Sequence, residues 1–243
     1  MIPAALTIGG SDSSAGAGIQ SDLRTFHVLG IKGCSAITAL TAQNPREITR
    51  IEPVSLDQLE AEIRASFAYY DIKAVKTGML YDSDRIEMIA ALLDELHAGK
   101  PLVIDPVMVS SSGKSLLDDK ALSALTGSLF SKASLITPNI PEAAVLLGHA
   151  PDKETATELF TMYSVPTLLK GGHIHGNRLI DILCMDGEEI AFPHQRQHWD
   201  EETSHGTGCR LASAITALTT KEKSLSIAVS EAIHWLQGLP IQD

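Results

Sequence analysis

The sequence predicts an α/β protein built in three layers, α/β/α, with a mainly parallel central sheet and a small β-hairpin. Short apolar runs alternate with amphipathic helical stretches along most of the 243 residues, which is the order typical of repeated β-α units. Residues 181–193 break this order, because two strand-like runs flank Asp186 and Gly187, a pair that favours a hairpin turn. We therefore expect the functional side chains in the loops that follow the carboxyl ends of the parallel strands.

The first half of the chain is expected to form three strands and three helices. The strands are expected at 4–8, 34–43 and 72–78, and the helices at 19–29, 55–67 and about 82–97. Ser55 and Gln58 have the Ser-x-x-Gln spacing of a capping box, which predicts the start of the second helix.

The second half continues the alternation as far as the hairpin and closes with two helices. The strands are expected at 101–107, 133–139 and 167–172, and the helices at about 118–129, from Pro141 onward, at 208–219 and at 224–238. No linker rich in proline, glycine or serine divides the chain, and no fixed-period repeat is present. The sequence therefore predicts one domain spanning residues 1–243.

The composition of the chain excludes several classes of protein. Thirty acidic against nineteen basic residues give a formal charge of −11, so a nucleic-acid partner is not expected. The N-terminus has neither a positively charged leader nor an apolar run long enough for a signal peptide or a membrane span, and we expect a cytoplasmic protein without a membrane partner. The three cysteines form no CxxC pair, which predicts reduced thiols rather than disulfides or a thiolate zinc site.

A cysteine follows two glycines at the start of a predicted helix, in the stretch SHGTGCRLAS. Gly206 and Gly208 allow the backbone to turn its N–H groups toward one point, and the helix dipole adds positive potential there, so this stretch predicts an anion pocket. The same potential is expected to lower the pKa of the Cys209 thiol, which makes it a candidate base or nucleophile. A small residue packed in a tight helix start is an equally good interpretation of this motif alone.

A second glycine-rich loop, GGSDSSAGAG at 9–18, follows the first strand. It lacks the third glycine of a dinucleotide fingerprint and the Gly-Lys-Ser/Thr of a Walker loop, so it predicts close approach of the backbone to a small ligand. Asp12 and Asp22 flank the loop as candidate hydrogen-bond acceptors, although Asp22 could equally be a solvated helix residue.

Polar residues follow three later strands. Asp105 ends VID, Asn139 and Glu142 form an Asn-x-x-Glu, and Lys170 ends TLLK. Mg²⁺ in nucleotide sites commonly uses one or two carboxylates together with water and phosphate, so this set predicts magnesium nucleotide chemistry. Taken singly, a helix N-cap, a loop salt bridge or a surface lysine would explain each of them.

Seven ordered motifs carry a family resemblance. They are ALTIGGSDSSAGAGIQSDLRTF, ALTAQN, VKTGML, VIDPVM, LITPNIPEAAVLLG, LLKGGH and HGTGC. From residue 4 to about 219 the sequence resembles the bacterial hydroxymethylpyrimidine/phosphomethylpyrimidine kinases of thiamin biosynthesis, which have the ribokinase-like fold. The resemblance implies ATP-dependent, magnesium-assisted phosphorylation of 4-amino-5-hydroxymethyl-2-methylpyrimidine and then of its monophosphate, by an enzyme expected to be a homodimer.

The resemblance also implies roles for individual residues. Cys209 would assist deprotonation of the substrate hydroxyl while Gly206, Thr207 and Gly208 form the anion hole. Gln43 would hydrogen-bond the aminopyrimidine. The other members of the pyrimidine pocket would be Gly10, Asp22, Met79 and Val107, of which Met79 could equally be core filler. The nucleotide side would comprise Lys170, Asn139, Glu142 and His205, with Asp105 and Glu142 at the metal.

Two other functions are compatible with the sequence. A pyridoxal or pyridoxine kinase is an alternative, because its substrate is also a hydroxymethyl-bearing aromatic N-heterocycle. A catalytically impaired pyrimidine- or nucleotide-binding homologue is another, since acidic residues at 200–202, Arg210 and the ending at 241–243 depart from the family pattern. Zinc binding is not expected of the histidines, because no cysteine or helical i,i+4 partner completes a tetrahedral site. They are His173, His175, His194, His198 and His205.

Overall fold

A nine-stranded sheet organises the chain in the computed structural model, which describes residues 1–108, 117–171, 178–197 and 205–239. The strands are β1 Ile2–Asp12, β2 Lys32–Gln43, β3 Ile48–Pro53, β4 Tyr70–Thr77, β5 Leu102–Ile104, β6 Leu135–Ile136, β7 Thr167–Leu169, β8 Arg178–Met185 and β9 Glu188–Gln195. The helices are α1 Gly18–Val28, α2 Leu56–Tyr69, α3 Ser83–His97, α4 Asp119–Ala124, α5 Ile140–Leu147, α6 Thr155–Tyr163, α7 Thr207–Thr220 and α8 Leu225–Gln237.

The strand order places a topological switch beside the first strand. The order is β3-β2-β1-β4-β5-β6-β7-β8-β9, with parallel pairing from β2 through β7 and antiparallel pairing at both ends. The chain leaves β1 toward β2 on one side and later returns to β4 on the other. Loops after β1 and β4 therefore diverge, which opens the crevice where ligands bind in sheets of this kind.

Helices cover both faces of the sheet, so the three predicted layers are present. Alternate residues of the buried strands point to opposite faces: Leu102 and Ile104 pack with the cluster that includes α2 to α6, whereas Val103 packs with α7 and α8. Ala5 of β1 packs on the second face with Phe26 of α1.

The antiparallel hairpin is confirmed, and three local features differ from the prediction. The edge strand β3 and helix α6 were not expected; β3 is short and largely exposed, so it lacks a continuous apolar run. The helix expected at about 118–129 ends at Ala124 and continues as a π-helical turn, Leu125–Leu129.

The predicted capping box at Ser55 is only half formed. Ser55 Oγ accepts from Gln58 N at 3.3 Å, but Gln58 Nε2 donates to Glu62 Oε1 instead of completing the box. None of the helices in the described residues is long and apolar enough to cross a membrane.

Candidate active site

A cavity of about 1040 Å³ opens at the carboxyl ends of the parallel strands. Its wall includes the end of β1, the turns after β4 and β5, and the first turn of α7. All of the site residues proposed from the sequence contribute to this wall, including residues separated by more than 190 positions in the chain, such as Asp12 and His205. The topology therefore gathers motifs that the sequence keeps far apart.

Gly206, at the start of α7, is required by close packing against the first glycine loop. Gly206 has φ of 80°, and a Cβ built there would lie 2.2 Å from the carbonyl oxygen of Gly16. At Gly208 a Cβ would lie 3.3 Å from Lys170 Nζ. The start of α7 thus lines the cavity beside a lysine, and the first N–H groups of a helix have no partner within the helix, as an anion pocket needs.

Cys209 lies in the first turn of α7 and lines the cavity as a partly exposed residue. Burial raises the pKa of its thiol to about 11, although the charge of Lys76 and a hydrogen bond from the Gly18 backbone act in the opposite direction. The expectation of a lowered thiol pKa is therefore wrong for the protein without ligands. Desolvation by the surrounding walls outweighs the attraction of the nearby ammonium.

Asp22 is buried with a full set of partners, so the interpretation as a solvated helix residue is wrong. Its carboxylate accepts hydrogen bonds from Thr7 Oγ1 at 2.6 Å, from Ser213 Oγ at 2.7 Å and from Lys76 Nζ at 2.9 and 3.1 Å. The side chains of Asp22 and Lys76 are each 1% exposed. Asp22 lies at the cavity wall, but protein groups occupy both of its oxygens.

Lys76 was not identified from the sequence. The signal that could have revealed it is a lysine inside the otherwise apolar strand AVKTG, where an inward-pointing charge needs a buried partner. Burial disfavours its charged form, but Asp22 together with Cys209 and Asp105 raises the pKa of Lys76 above its ordinary value. The lysine is therefore charged inside the protein.

A second lysine joins the polar residues that follow β5, β6 and β7. Lys170 Nζ donates to Asp105 Oδ1 at 2.7 Å and lies 3.9 Å from Glu142 Oε2. Burial opposes ionisation of both Lys170 and Asp105, yet their attraction raises the pKa of Lys170 and lowers that of Asp105. The Lys170 side chain is only 12% exposed, so it is not a surface lysine.

Asn139 and Glu142 begin α5 with a complete capping box. Asn139 Oδ1 accepts from Glu142 N at 2.9 Å, and Glu142 Oε2 accepts from Asn139 N at 2.8 Å. Burial raises the pKa of Glu142 to about 7 despite the attraction of Lys170. The N-cap interpretation is thus correct for Asn139, and Glu142 completes the capping box as its third helical residue; both lie at the cavity wall.

His205 contacts the first glycine loop and Gln43 rather than the Lys170 group. His205 Nε2 lies 2.9 Å from Asp12 Oδ2 and 3.2 Å from Gln43 Nε2. Burial works against the Asp12 carboxylate, but hydrogen bonds from His205, Ser14 and Ala17 lower its pKa to about 2. An Nε2–H that donates to this carboxylate cannot accept from Gln43, which leaves the Gln43 amide nitrogen available to a ligand.

The remaining predicted pocket residues form one patch of the wall. A Cβ at Gly10 would lie 2.9 Å from Met79 Cε, so the glycine makes room for the methionine. Met79 and Val107 are half-buried and line the cavity, so Met79 is not simply core filler. Flat apolar contacts of this kind suit the face of an aromatic ring.

A further polar cluster lies toward the hairpin and α8. Asp181 accepts from the Gly171 backbone at 2.7 Å and lies 3.2 Å from His194 Nε2, while Gln237 Nε2 lies 3.0 Å from His194 Nδ1. A hydrogen bond with Asp181 raises the pKa of His194. His173, His175 and His198 lie outside the described residues, as do positions 200–202 and 241–243. Among the residues that are described, no group of three or more His, Cys, Asp or Glu side chains is arranged to hold a metal.

Structural comparison gives the class: the chain is a kinase of the ribokinase-like fold. Phosphomethylpyrimidine kinase from Clostridium difficile 630 superposes with a TM-score of 0.83 at 36% identity, over 97% of this chain and 98% of that one. A pyridoxal kinase from Staphylococcus aureus in complex with AMP-PCP and pyridoxal superposes with a TM-score of 0.84 at 29% identity, over 96% and 86%.

Sequence comparison narrows the class to one family. The family model described as Phosphomethylpyrimidine kinase matches residues 12–241, and the chain belongs to this family. The hydroxymethylpyrimidine/phosphomethylpyrimidine kinase of Rhizobium meliloti (strain 1021) is 43% identical over 98% of this chain and 90% of its own length. That of Bacillus subtilis (strain 168) is 38% identical over 96% and 87%.

Proposed function

We propose that the protein transfers the γ-phosphoryl group of ATP to the hydroxymethyl group of 4-amino-5-hydroxymethyl-2-methylpyrimidine and then phosphorylates the monophosphate, in thiamin biosynthesis. The observation that carries this proposal is the convergence of three features on one cavity. They are the thiol and anion pocket at the start of α7, the lysine and carboxylates after β5 to β7, and the Gln43 and Met79 patch. These supply a base, a phosphate site and a heterocycle site.

Cys209 is proposed as the base. In its thiolate form it takes the proton from the substrate hydroxyl, the oxygen keeps the electron pair and bonds to the γ-phosphorus, and the bond to ADP breaks with its electrons on the departing oxygen. The backbone N–H groups of Gly206, Thr207 and Gly208 stabilise the negative charge on the transferring group. The role depends on stabilising a thiolate whose pKa is raised in the protein without ligands.

The nucleotide phosphates are proposed to lie against Lys170, Asn139 and Glu142. The donors fit Mg²⁺, because Asp105 and Glu142 supply two carboxylates at the wall and Mg²⁺ usually keeps several waters. Bound there with the phosphates, Mg²⁺ would supply neutralisation of their charge. Lys170 holds Asp105 in place and offers its remaining N–H groups to phosphate oxygens.

The pyrimidine is proposed to stack against Met79, beside Gly10 and Val107, with its amino group and ring nitrogen at the Gln43 amide. Asp22 borders this pocket but acts through its buried partners. His205 is reassigned from the nucleotide to the substrate side, because its contacts are with Asp12 and Gln43. There it orients the glycine loop that follows β1.

The proposed setting is a single-domain, homodimeric enzyme of the cytoplasm. The free thiols of Cys34, Cys184 and Cys209 suit a reducing compartment. Sedimentation velocity would test the dimer, and a monomer at micromolar concentration would contradict it.

Mass spectrometry of the pyrimidine after incubation with Mg-ATP tests the reaction directly. We expect products heavier by one and then two phosphates. A single phosphate would restrict the proposal to the first transfer, and no product would refute it. Ligand-induced thermal stabilisation without product would identify the impaired homologue.

Pyridoxal is the second candidate substrate, because two pyridoxal kinase structures superpose with TM-scores of 0.86. Their identities of 28 and 30% fall below the 38 to 43% of the hydroxymethylpyrimidine kinases, so the pyrimidine is preferred. Competition between the two substrates at equal concentration gives the decisive ratio of kcat/KM. A ratio in favour of pyridoxal would overturn the assignment.

A further inference from the structure

Lys76 is a fully buried lysine to which the proposed reaction assigns no role. It lies on β4, and its Nζ is 3.0 Å from the position that a Cβ would take at Gly78, at the cavity end of the strand. Removing an ammonium from water costs several kcal/mol, by rough estimate, unless a partner offsets that cost. A lysine in this place therefore needs a structural or chemical reason.

Helices α1 and α7 contact each other near Lys76 through two pairs of residues. Gly18 and Asp22 are four residues apart on α1, and Cys209 and Ser213 are four residues apart on α7, so each pair lies on one helix face. The Gly18 backbone lowers the pKa of the Cys209 thiol, and Asp22 Oδ1 accepts from Ser213 Oγ at 2.7 Å. Lys76 and Ser213 therefore share the Asp22 carboxylate, and Ser213 lies one turn of α7 after Cys209.

The charges of the two groups act on each other. Burial raises the pKa of Cys209, and Lys76 is the group that opposes this rise most strongly. In return, after burial and Asp22, a charged Cys209 is the next influence on the pKa of Lys76, and it raises that pKa. The other charged groups that act on or with Cys209 are Asp22, Asp105, Lys170 and Arg210.

We propose that Lys76 is a positioning residue for phosphoryl transfer: its ammonium, clamped on Asp22, is the fixed positive charge that stabilises the Cys209 thiolate. The inference rests on the proposed role of Cys209 as base. When the thiolate accepts the hydroxyl proton, an S–H bond forms as the O–H bond breaks, and Lys76 keeps its own proton throughout. The competing explanation is that Lys76 only neutralises Asp22.

Alkylation of Cys209 by iodoacetamide separates these explanations, because it reads the thiolate without any turnover. Rates are measured from pH 7 to 10 by peptide mass spectrometry, which distinguishes Cys209 from Cys34 and Cys184. The decisive comparison is Asp22→Asn against Asp22→Asn with Lys76→Met. The double variant leaves neither a buried acid nor a buried ammonium unpaired, and urea denaturation checks that Asp22→Asn alone, which keeps Lys76 without this partner, is folded.

We expect Lys76→Met to slow Cys209 alkylation at pH 8.5 by about tenfold in that background, equivalent to a rise of about one unit in the thiol pKa. Asp22→Asn alone should speed the reaction, because it removes a negative charge while Asp105 still favours the charged form of Lys76. The matched control is Lys73→Met, on the same strand but partly exposed and paired with Asp71. The Cys209 alkylation rate of Lys73→Met should stay within about twofold of that of the unmodified protein.

Equal Cys209 rates with and without the Lys76 ammonium, in folded proteins, would overturn the inference. A lower Cys209 alkylation rate in both Asp22→Asn and the double variant would also overturn the inference, since a loosened structure rather than a lost charge would explain the change in rate. Failure of the proposed function is separate: if Cys209→Ala retained full turnover, the base assignment would fall while the Lys76 effect on alkylation could still be measured.

Discussion

The Cys209 thiol shows why a helix start alone does not set the pKa of a cysteine. Glycines and a helix dipole indicate a thiolate, and those features are present. The walls that enclose the sulfur have the opposite effect and raise the thiol pKa to about 11. The sequence contains the local dipole but not the desolvation, because the surrounding walls come from distant parts of the chain.

Cys209→Ala should lower kcat by about 10²- to 10⁴-fold, the usual contribution of a positioned general base. The dissociation constant for the pyrimidine should stay nearly unchanged, because the proposed ring contacts lie elsewhere. Steady-state kinetics and equilibrium titration together provide the check. Cys34→Ala, which removes a half-buried thiol on β2, is the control. Unaltered kcat in Cys209→Ala would exclude the thiol from catalysis.

Gln43→Ala should act on binding instead. Loss of one or two hydrogen bonds to the heterocycle is expected to raise the pyrimidine dissociation constant by about tenfold, with a smaller effect on kcat. Isothermal titration measures this directly. Gln58→Ala, on the outer surface of α2, is the matched amide deletion and should change nothing. A dissociation constant equal to that of the unmodified protein would rule out the amide contact.

At the scale of elements, the sequence predicts helices and buried strands better than edges. The capping chemistry of Asn139 and Glu142 and the Asp186-Gly187 turn are local, and both are readable from a few residues. Strand β3 pairs through its backbone while most of its side chains stay partly exposed, so no hydrophobic pattern predicts it. The π-helical turn after α4 packs against α3, a contact between distant residues that a local sequence pattern does not contain.

Gly206→Ala tests the contact between the two glycine segments. The left-handed backbone alone costs about 1–2 kcal/mol for a residue with a Cβ, and the clash with the Gly16 carbonyl adds to it. Gly148→Ala is a matched control, with φ of 76° and no atom within 4 Å of its Cβ position. Urea denaturation should show a larger loss for Gly206→Ala. Equal losses would mean that the close contact contributes nothing.

His97, at the end of α3, should make the fold acid-sensitive. Burial lowers its pKa from the ordinary 6.5, although its Nε2 contacts the Pro101 carbonyl at 2.9 Å. The neutral ring therefore contributes stability above pH 6.5, and this contribution is lost as the pH falls from there through the lowered folded-state pKa. His97→Gln should flatten the dependence of unfolding free energy on pH below the ordinary histidine pKa of 6.5. An unchanged slope would contradict this assignment.

At the scale of the whole molecule, the candidate site was predictable as a list of residues but not as a set of contacts. Motifs located Cys209, Lys170, Asp105 and Gln43 at one cavity. The motifs did not show that a charged Lys76 lies at the wall of this cavity, because a single lysine in an apolar strand has no partner nearby in the sequence. His205 belongs to the HGTGC motif, but its side chain contacts Asp12 and Gln43 rather than the Lys170 group.

Ligand binding should stabilise the whole fold, since the cavity joins the end of β1 to α7. Pyrimidine at 100 times its dissociation constant should add about 2.7 kcal/mol to the free energy of unfolding. Cys209→Ala should gain the same increment, because binding and proton transfer use different groups. Thermal shift with pyrimidine alone is the measurement. A variant that binds by calorimetry but gains no stability would show that unfolding leaves the site intact.

The hydrogen bond between Asp12 and His205 spans 193 residues, and that between Asp22 and Ser213 spans 191. A ribosome must therefore synthesise all nine strands, which precede His205 and Ser213 in the chain, before either bond can form. A nascent chain still lacking α7 would carry the glycine loop, Asp22 and Lys76 without the Cys209 thiol, so the proposed base joins the site only after the sheet has been synthesised.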